Sequence, residues 1–439
     1  MQDFHLVHLS HKNKAGAIST ACFGLKQAKK VRSFHQSFDE YSITPLVQLN
    51  ALAQELGVKG IYVKDESYRF GLNAFKVLGG SYAIAREIGS RLGLAEEELS
   101  LPRLLQQDVQ ERLGKLTFVT ATDGNHGRGV AWTAQRLGHK AVVFMPKGTA
   151  TERLENIRKL GAEASITDYN YDDSVRLARK YAAEHNGIVV QDTSWEGYED
   201  VSLHIMQGYT TIGAEIVEQL AAYGAVKPTH VFLQAGVGAM AGAMVGFIAD
   251  YYKDARPIIT KVEPNEADCL YRTALANDGE LHIVDGALDS IMAGLCCGEP
   301  CSIGWQQLAA YADNFVAMPD KVAALGMRVL GNPVGSDAAV VSGESGAAGL
   351  GLAVAALRER ELAQLKASLR LDAESVVLCI STEGATDVAN YRRRQLAAAS
   401  LYCRAHRSTA PPSSNLKRRS LYAAHRRWLK QCGISSPPH

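Results

Sequence analysis

Three stretches of this 439-residue chain carry side chains and spacings fit for chemistry. The first, FGLNAFKVLGG (70–80), places Lys76 between Phe75 and Val77 in a run otherwise suited to burial. Desolvation disfavours an ammonium, so burial is expected to lower the Lys76 pKa and sharpen the amine as a nucleophile. A lone lysine in such a run more often sends its head group back to water. The second, TATDGNHGRG (120–129), offers Asp123 as an acid or base and Asn125 as an amide for an oxygen on a ring. Both could equally do no more than cap the following helix. The third, QAGVGAMAG (234–242), has Gly236, Gly238 and Gly242 between a strand and a helix. Small residues there let backbone N–H groups approach an anion at a helix N-terminus, which suits a phosphate. A bare tight turn is the alternative. The run lacks the Gly-Lys-Ser/Thr ending of a nucleotide loop, and Glu263 is the nearest acidic residue for a dinucleotide ribose.

Taken singly, each signal is weak. Together, a phosphate cradle, a buried amine and an amide-bearing Gly-Asn-His loop are what pyridoxal phosphate requires: an anchor, a Schiff-base partner and a ring contact.

The elements that must position these groups alternate. Strands are expected at 60–66, 116–124, 140–146, 163–169 and 188–192, with helices at 76–93, 127–138, 150–162 and 172–187. A second series has helices at 209–224 and 243–254 and strands at 229–236, 258–264 and 376–384. Such alternation predicts an α/β fold of parallel sheets with helical crossovers, and each of the three loops falls at the carboxyl end of a strand. The segment 265–335, rich in Gly, Cys and turn residues, reads as loop for substrate and subunit contacts. Residues 94–115 read as a loose insertion.

Charge is unevenly spread. The chain carries 47 basic and 46 acidic residues, but eleven Lys/Arg and no Asp/Glu fall between 388 and 439, leaving an acidic body and a basic tail. An acidic body argues against nucleic-acid binding, and the tail 397–439, with its STAPPSSN linker and LKRRSLYAAHRRWLKQ stretch, is expected to be mobile. No apolar run is long enough to span a bilayer, and residues 1–30 lack a signal-peptide core. A cytoplasmic protein with reduced thiols is expected. No Cys pair has zinc-like spacing, and no metal site is expected. Cys269 and Cys297 flank one loop-rich segment and could bridge or be two small buried hydrophobes.

The motifs RFGLNAFKVLGGSYA, ATDGNHGRGVAW, QDTSWEGYED, GVGAMAG, MAGLCCGEP and STEGATD occur in this order. On them the chain resembles the fold-type II pyridoxal-phosphate enzymes, the tryptophan synthase β group, and within it the diaminopropionate ammonia-lyase family. The resemblance runs from 42 to 392. It implies two lobes, each a mostly parallel twisted sheet flanked by helices: a large one from 1–90 and 210–396, a small one from 91–209. It implies a homodimer acting on a small amino acid, with pyridoxal 5′-phosphate as cofactor. Lys76 then matches the Schiff-base lysine and Asn125 the ring-oxygen contact. Gly236, Val237, Gly238, Ala239, Met240 and Gly242 match the phosphate loop. Ser381 or Thr382 takes the place of the hydroxyl at the pyridine nitrogen, and Glu344 matches an acidic loop residue. Many relatives in the wider group have Ser where this chain has Asp123. A carboxylate there can take an α-proton or pair with an ammonium, and Asp192 matches a second catalytic aspartate. The expected reaction is elimination of ammonia from 2,3-diaminopropionate to give pyruvate and two ammonia. Asp192 or Lys76 would deprotonate the L isomer and Asp123 the D isomer. The alternatives are a threonine/serine dehydratase of the same fold and a non-catalytic nucleotide-binding protein.

Overall fold

The structure, a computed structural model, describes residues 3–9 and 18–405, the last nine of them as helical backbone alone. Eleven strands form among them: β1 (His5–His8), β2 (Leu46–Gln48), β3 (Gly60–Asp65), β4 (Thr117–Ala121), β5 (Lys140–Met145), β6 (Glu163–Ile166), β7 (Ile188–Val189), β8 (His230–Gln234), β9 (Ile258–Pro264), β10 (Asn314–Met318) and β11 (Val376–Ser381). One sheet runs β1-β10-β9-β8-β11-β3-β2 and the other β6-β5-β4-β7. Every pairing is parallel except the two edges of the larger sheet, where β1 lies antiparallel to β10 and β2 to β3. This is the mixed α/β, mostly parallel architecture expected. All four strands of the smaller sheet lie within 91–209, and all seven of the larger lie outside it.

The central strands β3, β8, β10 and β11 are buried on both faces, as continuous apolar runs such as VVLCIS require in a sheet covered by helices. The segment 265–335 departs from its loop reading. It holds helices Cys269–Ala276, Ser302–Tyr311 and Asp320–Gly331 and the buried strand β10. NFVAM is too short to signal itself, and its place is set by pairing with β9. Residues 94–115 likewise contain two short helices, Leu101–Leu104 and Gln107–Leu113.

The helix Val77–Leu92, which begins directly after Lys76, is the spine of the site. It packs against helices Asp200–Ala222 and Asn125–Arg136 through small residues. A Cβ on Gly208 would lie 2.4 Å from the Leu78 carbonyl oxygen, so only glycine permits that approach.

Under this spine lies a fully buried charge quartet. Lys64 Nζ donates to Glu215 Oε2 at 2.6 Å. Arg69 donates to both oxygens of Glu215 and to both of Glu66, each at 2.8 Å. Burial pulls Lys64 down, while the adjoining cations hold Glu215 at about 2 against its own burial. The quartet ties β3 and the loop after it to the long helix.

Glu263 is not a ribose ligand. It is buried against Lys261 and accepts the Leu270 and Tyr271 N–H groups at the start of helix Cys269–Ala276. Cys269 and Cys297 do not bridge; both are buried free thiols. The expectation for the basic tail concerns residues that, beyond 405, lie outside those described. No helix among the described residues is long and apolar enough to cross a membrane.

Candidate functional site

Five strand-end loops, after β3, β4, β7, β8 and β11, converge on one slot between the sheets, as open α/β sheets place their ligands. Lys76, Asn125, Asp192, Thr382 and the run Gly236–Ala241 all border it. The Lys76 loop is stitched to the end of β11. Phe75 N–H donates to Thr382 O at 3.1 Å, and Gly384 N–H donates to Asn73 O at 3.0 Å.

Lys76 Nζ donates to Asp192 Oδ2 at 2.7 Å. The expected downward shift of the lysine does not occur. Burial does push it down, but the charges of Asp192 and Asp123 outweigh burial and raise it above its ordinary value. Burial likewise favours the neutral acid at Asp192. The Lys76 ammonium, then His126 and a Tyr171 hydroxyl donating at 3.0 Å, overcome that and hold the carboxyl well below the usual range.

The glycine run forms the floor. Gly238, at φ +98°, caps the helix Ala239–Tyr252, which begins four residues earlier than the periodicity suggests. A Cβ on Gly236 would lie 3.0 Å from Cys297 Sγ, so the run is pressed against the MAGLCCGEP loop, and it borders the slot at a helix N-terminus, where the first N–H groups lack intrahelical partners. Gly242 does not border the slot. It lies inside the helix, where a Cβ would stand 2.7 Å from Gly304 Cα, so its smallness serves helix packing.

Asn125 and Asp123 do not cap the helix Asn125–Arg136, which has no side-chain cap. Asn125 Nδ2 donates to Glu383 Oε2 at 2.5 Å. Asp123 Oδ2 accepts from Arg153 Nη1 at 2.9 Å and faces a wider adjoining cavity of about 690 Å³. Gly294 joins the two spaces: it lines the slot, and a Cβ there would lie 3.5 Å from Asp123 Oδ2. Of the two hydroxyls at the end of β11, Thr382 borders the slot, whereas Ser381 is turned away and donates to Ser342 Oγ at 2.8 Å. Glu344 stands behind the slot, where it accepts from Asn390; burial, then the nearby Glu383 charge, raises it to about 7.

Among the slot residues that escaped the sequence reading are Glu383, Tyr209 and Tyr171. Glu383 was visible in STEGATD beside the two hydroxyls. The other two lie on helices with nothing local to mark them. Three of the buried polar atoms that have no hydrogen-bond partner among the described residues belong to this region: Tyr209 Oη and Gln234 Oε1, whose residues border the slot, and His126 Nδ1, which stands 3.9 Å from Asp192 Oδ2. A slot with an open glycine floor at a helix N-terminus, a buried amine, unspent polar atoms and an amide donor is built to hold an anionic ring compound.

Comparison with known proteins agrees. The family model described as pyridoxal-phosphate dependent enzyme matches residues 38–383. The diaminopropionate ammonia-lyase of Escherichia coli (strain K12) is 52% identical over 370 residues, which cover 84% of this chain and 91% of that protein. Two crystal structures of the Escherichia coli enzyme, each 48% identical, cover 90% of this chain and 97% of theirs. One, in complex with D-serine, gives a TM-score of 0.83. The other, in complex with an aminoacrylate-PLP azomethine reaction intermediate, gives 0.82.

Proposed function

Because the chain belongs to the diaminopropionate ammonia-lyase family of pyridoxal-phosphate dependent enzymes, we propose that it eliminates ammonia from 2,3-diaminopropionate, the product hydrolysing to pyruvate and a second ammonia. The observation that carries this reading is the Lys76 amine, held 2.7 Å from Asp192 beside the glycine floor.

The slot fits pyridoxal phosphate on its own chemistry, since the unpartnered Tyr209 and Gln234 atoms and the glycine cradle await a polar ring with an anionic arm. In this reading Lys76 anchors the cofactor, Gly236–Ala241 holds its phosphate, and Asn125 and Thr382 meet the ring. Bound there, the cofactor supplies an electron sink for the pair left when the α-proton is removed.

The protein's own groups then divide the work. Asp192, ionised and fixed by Tyr171, keeps Lys76 charged in the cofactor-free protein; Asp192, or Lys76 once it is a free neutral amine, takes the α-proton of the L isomer. Asp123, oriented by Arg153 on the side of the wider cavity, takes that of the D isomer. His126 is kept below its ordinary pKa by burial, against the pull of Asp192, and spends its Nε2 on the Val190 carbonyl.

Kinship with the family supports a homodimer, and the six free cysteines among the described residues support a reducing, cytoplasmic setting. The lobes proposed are 1–90 with 210–396 and 91–209. The test is direct: purified protein with cofactor is assayed for pyruvate and ammonia from D- and L-diaminopropionate. No release from either isomer sinks the reading. Lys76→Ala protein that still holds an absorbance band near about 410–420 nm after dialysis sinks the anchor assignment.

A further inference from the structure

Two carboxylates line the slot, Asp192 and Glu383, and Asp123 lies just past Gly294; Asp192 and Asp123 already have a cation. Asp192 is paired with Lys76 at 2.7 Å and Asp123 with Arg153 at 2.9 Å. Glu383 is not paired. It is 1% exposed, and among the described residues no Lys, Arg or His nitrogen comes within 4.0 Å of it. Arg153 acts on it only from beyond that range. Its partners are neutral: Asn125 Nδ2 at 2.5 Å, the Ser345 N–H at 3.2 Å and Thr386 Oγ1 at 3.4 Å. Its backbone is fixed as well, since Gly343 N–H donates to Glu383 O at 2.9 Å and Ala74 bridges to Glu383 two residues before Lys76.

A carboxylate buried without an opposite charge is costly, and three neutral donors repay only part of that cost. A site that keeps one in its wall is prepared for a cation. The substrate of the reaction proposed above, on which this inference rests, carries an ammonium on Cβ where serine and threonine carry a hydroxyl. We propose that Glu383 seats the β-ammonium of the substrate and so selects diamino acids over hydroxy amino acids.

The chemistry balances. The α-proton goes to the base, the Cα–H electron pair becomes the second Cα–Cβ bond, and the Cβ–N pair departs with nitrogen. An amine kept protonated by Glu383 leaves as neutral ammonia. The same carboxylate beside a Cβ hydroxyl would face a departing hydroxide and oppose it by like charge.

Glu383→Gln removes the charge and keeps an acceptor for Ser345. In the holoenzyme, kcat/KM for diaminopropionate relative to serine of the same configuration is expected to fall about a hundredfold. Glu383→Asp, which keeps the charge on a shorter arm, is expected to give an intermediate ratio. A second readout needs no turnover. The α-methyl analogues of both amino acids lack the α-proton, and their binding is followed by the cofactor absorbance. Wild type should prefer the diamine, and Glu383→Gln should lose that preference. Equal losses on both substrates in both variants, or an unchanged ratio, overturns the assignment. Wild-type protein that releases no ammonia from diaminopropionate overturns the proposed reaction itself, a failure read before any variant is compared.

Discussion

The Lys76 ammonium and the Asp192 carboxylate, 2.7 Å apart, each hold the other in its charged form inside a buried slot. Lys76 is raised above its ordinary 10.5, so its contribution is complete below that pH and is lost as pH climbs through the folded value. Asp192 is lowered from 3.8, so its contribution is present above that pH and is lost as pH falls. The pair therefore stabilises the cofactor-free protein across the whole neutral range. Asp192→Asn leaves one charge without a partner and should destabilise that form by about 3–5 kcal/mol, read from urea unfolding at pH 7. A loss below about 1 kcal/mol would show that Lys76 finds another partner.

Asp123 and Asp192 lie toward different spaces, so they should separate by stereochemistry. Asp123→Asn is expected to lower kcat for the D isomer about 10²–10⁴-fold and leave the L isomer near wild type. Arg153→Met should move in the same direction, since it frees Asp123 from its 2.9 Å partner. Equal loss on both isomers would remove the division of labour.

Glu344 supplies a pH dependence of opposite sign to that of Asp192. Its folded pKa, near 7, lies above the ordinary 4.5, so the folded state binds the extra proton. Stability on this account is complete below about pH 4.5 and is lost as pH rises through about 7. Glu344→Gln should flatten that slope and add on the order of 3 kcal/mol at pH 8, measured by denaturant melts at several pH values. An unchanged slope would contradict it.

Gly208→Ala tests how the site is held from behind. The new methyl would press on the Leu78 carbonyl, two residues from Lys76, and the two helices must part. A loss of about 1–3 kcal/mol in stability is expected, with weaker cofactor retention on dialysis. Retention equal to wild type would show that the loop before Lys76 absorbs the shift.

Much of this was legible in the chain. Runs such as GIYVKD and VVLCIS announce strands, and the βαβ rhythm alone brings their carboxyl ends to one edge. That is why Lys76, Asn125 and the Gly236 loop could be expected near one another before any geometry, whereas Asp192 entered only through the family resemblance. What was not legible depends on distant approach. The His5–His8 and Leu46–Gln48 edges are strands only because β10 and β3 offer them hydrogen bonds. Glu383 meets Asn125 across 258 residues. The upward shift of Lys76 requires knowing that Asp192 sits on it; local sequence shows the burial but not the counter-charge. Gly242 was misread because a glycine in a phosphate loop and a glycine at a helix crossing look alike in one dimension.

The quartet of Lys64, Glu66, Arg69 and Glu215 has a consequence for descent as well as for folding. Loss of any one member strands a charge and costs about 3–5 kcal/mol, a large share of what a folded domain has to spare, whereas an apolar set of the same volume could be as stable as the original or better. The two solutions are separated by intermediates that lose much of that margin. A lineage that begins with the charged set is held to it because every single step away is costly. The four positions should therefore be inherited together, whatever substrate the slot above them comes to serve.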